Sequence, residues 1–563
     1  MRNFFFLLSI LLFSVTANAQ PYQKPPKLVV GIVVDQMRYE YIYRYWNKFG
    51  NTGFKRLLNE GMNCRNTRFN YVPTYTGPGH ASIYTGSTPM HHGIIANDWF
   101  DKQNNKLIYC TTDTTVNTLG AQNASGKHSP RNLLATTITD QLRLISNFNS
   151  KCIGIALKDR GAILPAGQLA NAAYWFDAAS GNFVSSSYYM DSLPNWVKKF
   201  NEQELPKNYL KNTWNTLLPI EQYTESFPDA NPYEGSINAG NPGVFPYDLA
   251  LLKNKAGLGI IRYTPWGNTL TTELAKATIK EEKLGKSIYA DFLSVSYSTP
   301  DYVGHMYGPH SVEIQDIYLR LDKELGDFLM FLENELGKEN ILVFLTADHG
   351  GAETPSMLID KKANAGYFPY QFIKDTTNAF LSKLLGNGNW VIAYENQQVY
   401  LNQPAIEQKL NVLTISGSGI TGNKNSFDKT TYDFEKIQQL VAQFLFKMKG
   451  VANTYTSKEI ENYFHDADLA SLIKNGYYKK RSGDVIIQFE PGWMEYNEFG
   501  TTHGSEYSYD THVPLLWWGW KTPKGKTSVS KVKITDIAPT ISIILNASFP
   551  SACIGNPIED FFK

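Results

Sequence analysis

Lys27-Leu28-Val29-Val30-Gly31-Ile32-Val33-Val34-Asp35 is a near-continuous apolar, β-branched run that stops on a carboxylate. A strand with one solvated face alternates apolar and polar residues. A run without alternation fits a strand buried on both faces, as in a parallel sheet covered by helices. Similar runs recur at Cys152–Leu157, Ala290–Val295, Ile341–Ala347 and Val513–Trp518. Between them lie helical patterns. Val312 to Leu336 carries Ile314, Ile317, Leu321, Leu325, Phe328, Leu332 and Leu336 at spacings of three and four, and Gly337 follows as a stop signal. Strands alternating with helices predict an α/β fold: a central, mostly parallel sheet with helices on both faces. Two stretches break the rhythm, near 163–262 and near 385–485. They are expected to be insertions into one α/β domain spanning 20–563, forming a cap over the C-terminal strand ends.

The 563 residues suffice for a large decorated domain or several smaller ones. With 42% hydrophobic and 19% charged residues the chain is globular in composition, not disordered. Its 53 Lys and Arg nearly balance 52 Asp and Glu, which argues against a polybasic nucleic-acid or membrane-surface binder. Arg2, the apolar run Phe4 to Val15 and Ala17-Asn18-Ala19 form the pattern of a signal peptide over 1–19, implying an exported protein, periplasmic or secreted. That run is too short to span a bilayer, and no later stretch approaches the ~18 apolar residues a spanning helix needs. Cys64, Cys110, Cys152 and Cys553 allow up to two disulfides, with the pairing open. Without C-x-x-C a thiolate zinc site is not expected.

Three carboxylates stand at or just past strand ends: Asp35, Asp301 and Asp348. Ligands of open α/β sheets bind outside the carboxyl ends of the strands. Three carboxylates on one rim repel one another unless cations neutralise them. Histidines accompany them. His305 stands four residues after Asp301, His349 is adjacent to Asp348, and His503 lies in Gly500-Thr-Thr-His-Gly504. Asp/His mixtures without Cys suit zinc in an open site. Six ligands fill two three-ligand sites, and paired metals are a phosphoryl-transfer arrangement. In Pro73-Thr-Tyr-Thr-Gly-Pro-Gly-His80 a helix is expected to begin around Gly77–Gly79 with Thr76 at its N-cap. There the orphan N–H groups favour an anion. Lys158 and Arg160 are two apart after a strand-like run, so the pair is expected to project to one face, where only an anion relieves their repulsion. The other histidines, His80, His91, His92, His128, His310, His465 and His512, are assigned structural or surface places.

These segments, in this order, resemble the alkaline phosphatase superfamily of two-zinc phosphohydrolases, in its nucleotide pyrophosphatase/phosphodiesterase-like branch. They are most similar to the PafA-type bacterial enzymes, which use Thr as nucleophile. The resemblance also runs through Gly93-Ile-Ile-Ala-Asn97-Asp-Trp and Thr535-Asp-Ile-Ala-Pro-Thr540. It implies one zinc on Asp301, His305 and His503, and a second on Asp35, Asp348 and His349 beside Thr76 as ligand and nucleophile. Asn97 and the Thr76 N–H would hold one phosphoryl oxygen, and Lys158 and Arg160 the others. The implied activity is hydrolysis of small phosphate monoesters through a phospho-Thr76 intermediate. A phosphodiesterase or nucleotide pyrophosphatase is the alternative, and a silent phosphate- or metal-binding protein a third reading. A P-loop is excluded, because Lys280 stands where its first Gly belongs, and neither G-x-S-x-G nor H-E-x-x-H occurs. The C/S-x-P-x-R setting of sulfatases is replaced by Thr76-Gly-Pro-Gly-His80.

Overall fold

Leu28–Val34 forms the expected strand, and all seven residues are buried. It pairs in parallel on both sides, with Asp291–Tyr297 and with Ile341–Thr346. Cys152–Ala156 joins the Asp291–Tyr297 strand in parallel, and Ala172–Asp177 joins Cys152–Ala156. Antiparallel strands continue the sheet, Asn182–Ser186 and then Thr118–Leu119 on one side, Leu515–Gly519 and then Met62–Arg68 on the other. In this computed structural model the sheet has eleven strands. Residues 24–237, 243–416, 433–463, 468–496 and 499–563 are described. The 1–19 segment and His465 lie outside them.

The register decides where chemistry can happen. Val34 pairs with Tyr297, Val33 with Thr346, and Ala156 with Ser296. Four neighbouring parallel strands therefore end level, and whatever follows each of them lands on one rim. Val312–Leu336 is a helix over the expected residues. Ser311 caps it by accepting from the Ile314 N–H at 3.1 Å, and Gly337 leaves it at φ 80°.

Two expectations change in detail. The run Val513–Trp518 is divided, because Pro514 has no N–H for a ladder. His512–Val513 pairs with Met62–Arg68, and Leu515–Gly519 with Ile341–Thr346. Within 163–262, Ala172–Asp177 and Asn182–Ser186 belong to the main sheet, so this part is core and not decoration. The stretch near 385–485 does build a separate unit. Val391–Glu395, Gln398–Leu401, Val485–Phe489 and Val451–Thr456 form a four-stranded sheet. Helices Phe372–Leu385 and Phe434–Phe446 accompany it, around an apolar cluster of its own that includes Leu381, Val399, Val441 and Ile487. Its first hairpin turns through Asn396 (φ 53°) and Gln397 (φ 63°), the two left-handed residues that a tight hairpin turn requires. The Asn396 Nδ2 donates to the Asp98 carbonyl at 2.6 Å, bringing the hairpin tip onto the main unit. All four cysteines are free. Among the described residues no helix is long and apolar enough to cross a membrane.

Candidate active site

The level strand ends place the acidic residues together. Asp35 follows Val34 directly. Asp301 sits in the first turn of helix Thr299–Tyr307, and a spacing of four puts His305 on the same face, with Nε2 3.1 Å from Asp301 Oδ1. His349 Nε2 lies 3.5 Å from both Asp35 Oδ1 and Asp348 Oδ2. His503 comes in from its loop to 3.5 Å from Asp301 Oδ1. All six residues meet. Asp301, His305 and His503 form one close group of potential ligand atoms, and Asp35, Asp301 and His349 form another. Asp348 is turned partly aside. Its Oδ1 accepts from the Gln36 N–H at 3.2 Å, and its Oδ2 lies 3.4 Å from His80 Nδ1.

The histidine protons are fixed by their outer partners. His305 Nδ1 lies 2.8 Å from the Thr501 carbonyl, His349 Nδ1 2.9 Å from that of Gly350, and His503 Nδ1 2.7 Å from that of Thr74. A carbonyl only accepts, so each Nδ1 carries hydrogen and each Nε2 lone pair is aimed at the carboxylates. His305 is pushed up: burial opposes its charge, but Asp301 outweighs burial. His349 is pushed well down and His503 down to about 4, each chiefly by burial. These two stay neutral, so bare lone pairs face carboxylate oxygens across 3.5 Å. The rings also stack, with centroids 3.5 Å apart. Both Asp35 oxygens and Asp348 Oδ2 are buried without a hydrogen-bond donor among the described residues. Converging lone pairs and orphaned carboxylate oxygens are the donor set of a divalent cation, and they fit zinc.

Lys158 places a positive charge inside this rim. Its ammonium is 2.5 Å from Asp301 Oδ2 and 2.7 Å from Asp35 Oδ2, the latter out of hydrogen-bond alignment. Burial opposes its charge, but Asp301 and Asp35 raise its pKa overall. One ammonium does not neutralise three carboxylates. Burial, and then Asp301, push Asp35 up to about 6, and burial with Asp35 pushes Asp348 well up.

Thr76 opens helix Thr76–Thr85 as its first residue, one position later than the expected N-cap, which is Tyr75. The hydroxyl lies 3.4 Å from Lys158 Nζ and 3.5 Å from His349 Nε2. The Asn97 Oδ1 accepts from the Gly77 N–H at 2.8 Å, which fixes the amide orientation and leaves Nδ2 to a ligand. Lys158 and Arg160 do not project from one strand face as expected. The strand ends at Ala156, Lys158 is an N-cap and Arg160 lies in the next helix's first turn. Arg160 donates to the Tyr109 hydroxyl at 2.9 Å, and its buried Nε has no partner among the described residues.

Sequence reasoning missed Gln36. It is buried at a φ of 58°, its N–H reaches Asp348, and its Nε2 donates to Asp301 Oδ1 at 3.0 Å. Its position directly after a strand-end Asp was the available signal. His80 is structural, as assigned. Its Nδ1–H donates to the Thr76 carbonyl at 2.9 Å, so Nε2 accepts from the Ser296 hydroxyl at 2.9 Å.

A doubly covered parallel sheet with an Asp/His rim at its strand ends, beside a threonine opening a helix, defines a class of metal-dependent hydrolases. The chain belongs to the type I phosphodiesterase / nucleotide pyrophosphatase family, whose family model matches residues 29–513. It is 42% identical over 559 residues to the alkaline phosphatase PafA of Elizabethkingia meningoseptica, covering 98% of each chain. It is 44% identical over 554 residues, 97% of each chain, to a protein of Myroides odoratus named calcium-transporting ATPase. The crystal structure of wild-type PafA superimposes with a TM-score of 0.88 at 43% identity, over 96% of this chain and 99% of that one.

Proposed function

We propose that this chain is an exported alkaline phosphatase that hydrolyses small phosphate monoesters with two zinc ions and a phospho-Thr76 intermediate. The observation that carries it is the neutral His349 lone pair facing the orphaned Asp35 and Asp348 oxygens, beside the neutral His503 lone pair at Asp301 Oδ1, within reach of the Thr76 hydroxyl. Similarity to PafA over nearly the whole chain supports it. Asp301, His305 and His503 would hold one ion, and Asp35, Asp348 and His349 the other. Bound zinc supplies positive charge that neutralises the rim and the charge developing on the reacting oxygens.

The chain's own residues do the rest. Thr76 Oγ1 attacks phosphorus in line as the bond to the leaving alcohol breaks, and water then releases phosphate from Thr76. Asn97 Nδ2 and the helix-start N–H of Thr76 hold one non-bridging oxygen. Lys158 stands where a cation stands. With cations on the carboxylates, its ammonium is free for phosphate, as is the unpartnered Arg160 Nε. Residues 1–19 serve export, and the 385–485 unit caps the site.

Purified protein should contain about two divalent ions and lose aryl phosphate hydrolysis to a chelator. Full activity without metal would overturn the assignment. The family description keeps a phosphodiesterase as second reading. A diester substituent would displace Lys158 or Arg160, so the monoester should lead the matching methyl aryl diester by roughly a hundredfold in kcat/KM. The reverse preference would select the second reading.

A further inference from the structure

A groove of about 1090 Å³ runs between Thr118–Asn123 and Asn201–Lys207 and contains none of the site residues. A smaller cavity of about 160 Å³ opens on the site itself, lined by His503, Thr502 and Tyr75. Its far wall comes from the other unit and the segments that flank it: Tyr370, Glu395, Trp493 and Glu495.

Its chemistry is one-sided. Three carboxylates line it, Glu395, Glu495 and Asp510, and no Lys or Arg is among its described lining residues. The Tyr370 hydroxyl donates to Glu395 at 3.1 Å. Glu495 keeps a buried oxygen without a hydrogen-bond partner among the described residues, and so does Asp510, itself 1% exposed. Burial, and then the neighbouring Glu395, push Glu495 up to about 8, with Tyr394 opposing. Lys374 exerts the opposing field on Glu395, from outside the lining. Aromatic faces with carboxylates behind them attract a compact organic cation and repel an anion.

The place of the cavity gives this a use. In-line attack by Thr76 sends the leaving oxygen away from the threonine. The cavity is lined by His503, assigned above to the ion that does not hold Thr76. We propose that this cavity is a leaving-group subsite that favours phosphate monoesters of short alcohols bearing an ammonium group over neutral or anionic alcohols of the same size. The inference rests on the monoesterase reading above and adds the substrate class to it.

Phosphocholine and 3,3-dimethylbutyl phosphate have the same shape and differ in one positive charge. At pH 9, where Glu495 is ionised, the zinc-loaded enzyme should show a kcat/KM ratio of about five- to tenfold in favour of phosphocholine. In Glu395→Gln with Glu495→Gln the ratio should fall to near one, and Glu395→Gln alone should fall between. A folding defect lowers both esters together and leaves their ratio intact. A wild-type ratio at or below one, or a ratio untouched in the variants, overturns the subsite. Phenyl phosphate measured alongside separates the two failures: if it is not hydrolysed either, the monoesterase reading itself has failed.

Discussion

Thr76 is an ordinary hydroxyl made special by its surroundings: a helix start, the Lys158 ammonium at 3.4 Å and a neutral His349 nitrogen at 3.5 Å. Thr76→Ala removes the proposed nucleophile and should lower kcat by about a thousandfold or more, while Thr76→Ser keeps the hydroxyl and much of the rate. Steady-state rates with an aryl phosphate check this, and an alanine variant of near-normal rate would exclude the covalent route. Gln36 acts through others. It ties Asp301 to Asp348 from a left-handed backbone, so Gln36→Ala should weaken metal retention about 10- to 100-fold, measured by competition with a chelator. Unchanged retention would make Gln36 a passive turn residue. The carboxylates were legible in the sequence because strand-end position and histidine neighbours coincide. Gln36 was not, since an amide carries no such pattern. The joint projection of Lys158 and Arg160 was misjudged because a strand's last residue is not written in its composition, and here the helix begins at once.

The elements hold these residues by close contact. Helix Thr76–Thr85 crosses the strand end at Gly79, where an added Cβ would stand 2.3 Å from the Asp348 carbonyl oxygen. Backbone does not yield cheaply, so Gly79→Ala must shift Thr76 relative to Asp348. A displacement near 1 Å costs about a hundredfold in rate, and the overpacking about 1–3 kcal/mol of stability. Paired rate and melting measurements test this, and an alanine variant of wild-type rate would mean that the helix is not held there. Glu353, in the stretch after Asp348, clamps Arg38 at 2.7 Å and His310 at 2.8 Å. Burial alone would raise its pKa, but the bond from His310 and the charge of Arg38 hold it down at about 2. A folded pKa below the unfolded value of about 4.3 stabilises the protein above that value and is lost as pH falls toward 2. Glu353→Gln should therefore cost roughly 2–3 kcal/mol at pH 7, and the gap to wild type should narrow by about 1 kcal/mol at pH 3.5. Urea unfolding at both pH values checks the sign, and a constant gap would remove the ion pair as its cause. Helix Val312–Leu336 was legible residue by residue, from its apolar spacing and Gly337. The break at Pro514 was equally written in the sequence but hidden inside an apolar run.

Among the described residues, the two largest apolar cores stand apart: the main sheet's, and that of the unit around Val391–Glu395 and Val485–Phe489. The second unit was legible as a change of rhythm near 385–485. The first suspected insertion was partly misread, because its aromatic strands, with Trp175, Phe176 and Phe183, do not look like the β-branched strands beside them. The proposed metal ligands all follow main-sheet strands or lie in the His503 loop, and none belongs to the second core. Cations bound there would neutralise carboxylates that crowd around the Lys158 ammonium, so removing metal should destabilise the main unit selectively. A ligand held at a thousand times its Kd contributes about 4 kcal/mol, hence about 8 kcal/mol for two ions. With an unfolding entropy of about 2.1 cal/mol/K per residue and roughly 400 residues in the main unit, that is a fall of about 5–10 °C in Tm. Scanning calorimetry of the full chain with and without chelator should show the main transition fall while unfolding of the smaller unit holds its temperature. Refilling with zinc should restore both the main transition and the activity. Superimposable traces would mean that the carboxylate rim is stable without cations, and the two-metal site would then have to be abandoned.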